Sequence, residues 1–298
     1  MGQFENEFRY DPVIQCVNFG SREVFVLRLD LIHPQISGNK WFKLKYNLEA
    51  AKKQGRDTIL TFGGAFSNHI HATAVACQKF GFKSVGVIRG EKDSEHNPTL
   101  SEAKKHGMQL IFVSREDYDK KEDESYIDGF RNWFGNFYLL PEGGNNEPGI
   151  RGCEEILPRE NDFEIVFCAC GTGATFKGIS ASLKGKQKLY GISVIKGEGE
   201  LNSLPNIISE YHFGGYAKHT EELLKFKSEF EKKQNIPLDY IYTAKLFFGV
   251  NDLISKNKIS PDSKLLVIHS GGLQGNKGYE ERYRLIPKRN VKDAHGND

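Results

Sequence analysis

Three short runs in this chain carry side chains able to do chemistry. The first is Ser37-Gly38-Asn39-Lys40, at the head of a helical pattern. A lysine in a first helical turn is unusual, because the positive end of the helix dipole opposes its charge. That opposition favours the neutral amine, the state in which lysine condenses with a carbonyl. The same placement also suits a surface lysine beside a turn. The second run is Cys170-Gly171-Thr172-Gly173-Ala174-Thr175-Phe176-Lys177-Gly178, between an apolar strand and a helical stretch. Its small residues let backbone N–H groups converge on an anion, and Thr172 and Thr175 add hydroxyls. A dinucleotide fingerprint needs a further glycine where Phe176 stands, and a Walker loop needs a terminal G-K-[ST] that is absent. The loop therefore suits one phosphate group, or is a plain structural turn. The third run, Phe62-Gly63-Gly64-Ala65-Phe66-Ser67-Asn68-His69, ends a strand and sets Ser67 and Asn68 at a helix start. His69 and His71, two apart on a helix, project to different sides, which argues against a metal site.

These runs need a scaffold that brings strand ends together. Strand-like runs stand at 24–29 (VFVLRL), 58–62 (TILTF), 84–89 (SVGVIR), 109–114 (QLIFVS), 164–169 (EIVFCA), 189–194 (LYGISV) and 264–269 (KLLVIH), and most are continuous apolar runs, which suits strands buried on both faces of parallel sheets. Helical patterns lie between them. Residues 40–53 place Trp41, Leu44, Leu48 and Ala51 on one face and stop at Gly55. Residues 67–80 end at Gly81, and a shorter helix runs from Pro98 to His106-Gly107. Residues 219–233 and 244–255 are helical as well. The charged stretch 115–124 reads as a solvated loop and helix start. Strand–helix alternation from end to end gives an α/β class with helices on both sides of the sheets. No Pro/Gly/Ser tether is present, so two domains would have to be interleaved.

Composition narrows the classes. The 298 residues carry Lys+Arg 41 against Asp+Glu 39, a formal +2, without the basic surplus of a nucleic-acid platform. No apolar run approaches the roughly 18 residues of a membrane span. The first ten residues show neither a basic n-region nor an apolar h-region, and Asn6 stands where an acylation signal wants Ser or Thr. Five cysteines without a C-x-x-C pair read as reduced thiols of a cytoplasmic protein.

Taken in order, the motifs resemble one family. They are S-G-N-K with Lys43 three later, G-G-x-x-S-N-H, P-E-G-G-N (141–145), the G-T-G loop, I-Y-T-A-K (241–245) and I-H-S-G-G (268–272). Over about 27–275 the chain is similar to the pyridoxal-phosphate (PLP) dependent 1-aminocyclopropane-1-carboxylate deaminase / D-cysteine desulfhydrase family, of fold type II and tryptophan synthase β-like. The resemblance implies two interleaved open α/β domains with mostly parallel sheets: a large PLP-binding domain from 1–46 and 144–298, and a small one from 47–143. It puts the Schiff-base role on Lys40, and Lys43 near the phosphate. The phosphate cup falls on Gly171, Thr172, Gly173, Ala174 and Thr175. Asn68 matches the partner of the cofactor's phenolic oxygen, Ser67 a serine facing the substrate, and Tyr242 and Tyr216 two active-site tyrosines. A homodimer acting on a small amino acid is what the family implies.

Thr243 and Ser270 discriminate within the family. Thr243 matches the position near the pyridine nitrogen, where deaminase-type members carry glutamate and desulfhydrase-type members threonine. Ser270 lies where deaminases have leucine and desulfhydrases a hydroxyl. A carboxylate keeps the ring protonated and strongly electron-withdrawing, whereas a hydroxyl does not. Both positions favour β-elimination of D-cysteine to pyruvate, sulfide and ammonia. Deamination of aminocyclopropane-carboxylate to 2-oxobutanoate is the alternative, and ligand binding without turnover a further one. The chain departs from the family at Leu29, within Arg28-Leu29-Asp30, and at Tyr240, within Asp239-Tyr240. It departs also at Phe66 and at Trp41-Phe42, which bears on the substrate pocket.

Overall fold

A computed structural model describes residues 10–91, 97–197, 200–204 and 206–285. Residues 1–9, which hold most of the segment read for a leader or acylation signal, lie outside them. The strands in chain order are β1 (Ile14–Phe19), β2 (Arg22–Arg28), β3 (Thr58–Gly64), β4 (Lys83–Arg89), β5 (Met108–Val113), β6 (Tyr138–Leu140), β7 (Ile165–Cys170), β8 (Lys188–Ser193), β9 (Ile207–Ile208) and β10 (Leu265–His269). The α-helices are α1 (Asn39–Lys53), α2 (Asn68–Phe80), α3 (Pro98–Lys105), α4 (Arg115–Asp119), α5 (Glu124–Phe134), α6 (Glu147–Cys153), α7 (Ala174–Ser182), α8 (Glu221–Gln234), α9 (Thr243–Ser255) and α10 (Asn276–Tyr283).

Two sheets result. One has six strands in the order β1-β2-β10-β7-β8-β9, the other four in the order β5-β4-β3-β6. The β1–β2 pair is antiparallel and the other pairings are parallel. Most of the continuous apolar runs have their explanation in burial on both faces, whereas β5, at the edge of its sheet, is mostly half-buried. In β10, Leu265 and Val267 join a core with Phe230 of α8 and Phe247 of α9, while Leu266 and Ile268 join another with Phe176 and Ile179 of α7. In the smaller sheet Ile59 packs with α1 and α2, whereas Leu60 and Phe62 face Ile127 and Phe130 of α5. The charged stretch 115–124 is more ordered than a loop: Ser114 caps α4, and Asp123 caps α5.

Trp41 and Phe42 do not line the cavity described below. Trp41 packs with Leu44 and Leu48 on the smaller sheet's core, and Phe42 in the larger sheet's core. Each buried aromatic contributes on the order of 1.5–3 kcal/mol relative to exposure. The expected division at 46/47 therefore falls inside α1, an unbroken helix held by both cores. Phe66 is likewise no pocket residue. It packs with Ile241 and Tyr279, under the Arg282 guanidinium at 5.3 Å.

Candidate active site

The carboxyl ends of β3, β4, β7 and β10 meet around a cavity of about 250 Å³. Ligand crevices of α/β proteins form at such strand ends. Lys40, Lys43, Ser67, Asn68, Gly171, Thr172, Gly173, Thr175, Tyr216, Tyr242 and Ser270 line it together, although they come from six separate stretches of sequence. Ala174 and Thr243 do not line it, and both are fully enclosed.

Lys40 is the second residue of α1. Its ammonium donates to Asn39 Oδ1 at 2.7 Å, and Asn39 Nδ2 donates in turn to Thr175 Oγ1 at 2.8 Å. Asn39 thus ties the lysine to the first turn of α7. The turn before it is forced by close packing: Gly38 has φ +70°, and a Cβ there would stand 1.9 Å from the Ser270 carbonyl oxygen. Burial, then the neighbouring Lys43 charge, lowers the Lys40 amine to about 7. The sequence reading assigned that effect to the helix dipole, but burial is its largest cause. Lys43, one turn on, is also pushed down by burial.

The anion cup expected from the sequence falls at the N-terminus of α7. Gly173 caps it at φ +94°, and the first-turn N–H groups have no partner within the helix. Two further glycines keep the wall thin. A Cβ on Gly143 would stand 2.8 Å from Thr172 Oγ1, and one on Gly171 3.1 Å from Tyr242 Cε1. On the opposite wall Ser67 caps α2, its Oγ accepting from the Ile70 N–H at 3.2 Å. Asn68 Oδ1 accepts from Gln274 Nε2, which leaves the Asn68 amide free to donate into the cavity.

Tyr216 and Tyr242 meet edge to face with ring centroids 6.1 Å apart, and Lys40 Nζ lies 5.9 Å from the Tyr242 ring centre. Burial raises both phenols, Tyr216 to about 12 and Tyr242 well above the ordinary value. Both remain protonated at neutral pH. Thr243 bonds through its hydroxyl within the turn that opens α9. Its Oγ1 donates to Asp239 Oδ1 at 2.8 Å, and the Asp239 carboxylate accepts also from the N–H groups of Ile241, Tyr242 and Thr243. Asp239 and Thr243 together cap α9 and so fix Tyr242 at its start.

Among the other cavity residues, Arg89 and Glu142 were not singled out from the sequence, and His69 was weighed there only as a metal ligand. Arg89 ends β4, its guanidinium 5.4 Å from the Tyr118 ring centre. Glu142 stands 3.6 Å from the Lys121 ammonium. His69 lines the cavity, its Nε2 2.8 Å from Thr61 Oγ1, and burial lowers it well below the usual imidazole range. His71 turns away toward His106, 6.2 Å between ring centres. Glu142 lay inside the P-E-G-G-N motif and His69 inside S-N-H, so motif membership was their signal. Arg89 had none. Among the described residues no group of three His, Cys, Asp or Glu forms a metal cluster, and no helix is long and apolar enough to cross a membrane.

A buried amine lowered to about 7, an anion cup at a helix N-terminus and glycines whose side chains would fill the cradle fit pyridoxal phosphate. The comparisons agree. Residues 6–204 match the profile of the pyridoxal-phosphate dependent enzymes. A Pyrococcus horikoshii protein provisionally named 1-aminocyclopropane-1-carboxylate deaminase is 30% identical over 293 residues, covering 87% of each chain. The bifunctional D-cysteine desulfhydrase/1-aminocyclopropane-1-carboxylate deaminase of Arabidopsis thaliana is 28% identical, over 85% of this chain and 73% of its own. A crystal structure described as an ACC deaminase homologue superposes with a TM-score of 0.84 at 26% identity, covering 94% of this chain and 95% of that one. The chain therefore belongs to the fold-type-II pyridoxal-phosphate dependent enzymes, in the 1-aminocyclopropane-1-carboxylate deaminase / D-cysteine desulfhydrase family, with PLP as its cofactor.

Proposed function

We propose that this enzyme catalyses β-elimination from a small amino acid, with D-cysteine the preferred substrate. The observation that carries the reading is the Lys40 amine, lowered to about 7, facing two protonated phenols in one cavity. When bound, PLP supplies the electron sink that makes the Cα proton acidic. Lys40 would hold it covalently until the substrate amine displaces the lysine and frees its amine, while the α7 N-terminus would receive the phosphate and Asn68 the phenolic oxygen. The Lys40 amine takes the Cα proton, and Asn39 Oδ1 keeps that amine oriented. Ser67 and the free N–H groups of the first α2 turn bind the substrate carboxylate. Tyr216, the more acidic phenol, gives a proton to the departing thiolate, and Tyr242 backs its ring. The released enamine takes up water and loses ammonia, so D-cysteine and water yield pyruvate, hydrogen sulfide and ammonia.

The choice of substrate rests on charge. Residue 243 is a neutral threonine, and the Asp239 carboxylate beside it is saturated by hydrogen bonds. Among the described residues Glu142 is the single carboxylate lining the cavity. A weakly supported electron sink suffices for elimination of a good leaving group, but not for opening a ring that has no α-hydrogen. Aminocyclopropane-carboxylate remains the second reading, because relatives named for that activity match most of the chain. The test is 2-oxo acid release by the PLP-loaded protein from D-cysteine, L-cysteine, D-serine and aminocyclopropane-carboxylate. We expect D-cysteine to give the highest kcat/KM. A preference for the cyclopropane would overturn the assignment, and no product from any of them would leave a binding protein.

The lowered lysine has its own signature. Capture of PLP by the apoenzyme needs the neutral amine, so its rate should level off above about pH 7. Below that it should fall about tenfold per pH unit as Lys40 takes up a proton. Stopped-flow absorbance against pH measures this, and a rate still climbing tenfold per unit at pH 9 would contradict it.

A further inference from the structure

Lys245 lies on α9 with no part of its side chain exposed to solvent. Its ammonium donates to the carbonyl oxygens of His212 at 2.9 Å and Gly215 at 2.7 Å. Both carbonyls belong to the turn that leads into Tyr216. That turn is costly to hold. Phe213 and Ala217 have φ of +52° and +55°, and Gly214 and Gly215 between them +90° and +113°. Left-handed conformations at non-glycine residues are unfavourable and persist where the surroundings enforce them. The turn's own bonds are few: Gly215 N–H to the His212 carbonyl, Lys218 N–H to the Gly215 carbonyl, and Gly214 N–H to His212 Nδ1. The two carbonyls that close the turn are the ones Lys245 engages. Beyond Tyr216, the Tyr279 and Tyr283 hydroxyls both donate to the Ala217 carbonyl, at 3.2 and 2.8 Å.

A buried ammonium is expensive, and an apolar side chain in the same space would ordinarily stabilise the helix more. No carboxylate pairs directly with Lys245 among the described residues; Asp239 acts on it only at longer range. Burial lowers the amine to about 8, so it is still mostly cationic at neutral pH and its two hydrogen bonds are charge-assisted. What the cation accomplishes is local. It draws two backbone oxygens of a strained turn onto a rigid helix, and α9 also carries Tyr242 at its start.

We propose that Lys245 is a positioning residue: by binding the His212 and Gly215 carbonyls it locks the 212–217 turn and aims the Tyr216 phenol into the cavity against Tyr242. This rests on the reading that Tyr216 acts on the substrate. One helix then sets both tyrosines, Tyr242 by its cap and Tyr216 through the lysine.

The test compares Tyr216→Phe, Lys245→Met, Lys245→Gln and the Tyr216→Phe/Lys245→Met double variant, all as PLP-loaded protein. Tyr216→Phe should lower kcat on the order of a hundredfold, the loss of a general acid. Lys245→Met should lower kcat at least about tenfold with KM little changed. The double variant should be no slower than Tyr216→Phe alone, because the lysine acts only through that phenol. Lys245→Gln keeps an amide donor and should recover part of the rate; it carries the comparison if the methionine variant does not fold. Amide hydrogen exchange should rise at 212–217 in Lys245→Met while α9 and the strands stay protected. Losses that multiply in the double variant, or exchange unchanged at 212–217, overturn the role of Lys245. A Tyr216→Phe enzyme at the native rate overturns the reading beneath it.

Discussion

Lys40→Ala should abolish turnover, with kcat down by at least about 10⁴-fold, and should erase the visible absorption band of lysine-bound cofactor. The fold should survive. The amine is a partly desolvated charge beside Lys43, and its removal relieves that repulsion while Trp41 and Phe42 keep α1 in both cores. Lys43→Ala is the necessary control, since Lys43 also lines the cavity. It should keep the band and bind PLP more weakly. The two lysines differ in their partners: Lys40 is held by Asn39 Oδ1, which in turn is anchored to the anion cup through Thr175. Loss of the band in Lys43→Ala, with its retention in Lys40→Ala, would mean that the wrong lysine has been assigned. Absorption spectra and 2-oxo acid assays on the two variants decide between them.

Gly173→Asp should weaken PLP binding on the order of a hundredfold, and Gly173→Ala about tenfold. Two causes separate in this pair. At φ +94° any side chain strains the backbone, which the alanine variant isolates. The aspartate adds a carboxylate where the α7 N–H groups meet a phosphate, so two like charges compete for one set of donors. A Cβ at this position has room, 3.4 Å from Leu201 Cδ1, so collapse of the surrounding packing is not expected. Spectroscopic titration of the apoenzymes gives both affinities. Equal binding by the native, alanine and aspartate proteins would remove the loop from the phosphate site.

The legible parts of this molecule were those in which one short segment carries the whole signal. Strands β2, β3, β4, β7, β8 and β10 are buried on both faces, and their unbroken apolar runs give them away. Strand β1 is exposed at alternate positions and its apolar run is interrupted by Gln15 and Asn18, and β6 has three residues, so neither announced itself. Lys40 and the glycine loop were readable because turn chemistry and helix starts are local. Asn39, Asp239 and Lys245 were not. Each works through partners distant in the chain or through a cap that forms only once the turn has folded. Lys245 reaches carbonyls some thirty residues earlier, and nothing in an apolar helix marks such a reach. Thr243 shows the opposite case: its motif points to the cofactor, and its hydroxyl also bonds Asp239 at the start of α9.

The Trp41-Phe42 pair also governs how this enzyme fails. Two consecutive side chains send anchors into two different cores, and the reactive lysine immediately precedes them. Neither core can soften without withdrawing support from the same helical turn. Heat or denaturant acting on either sheet should therefore loosen the turn that carries Lys40. Because both sheets hold α1, the melting of one should be coupled to the melting of the other.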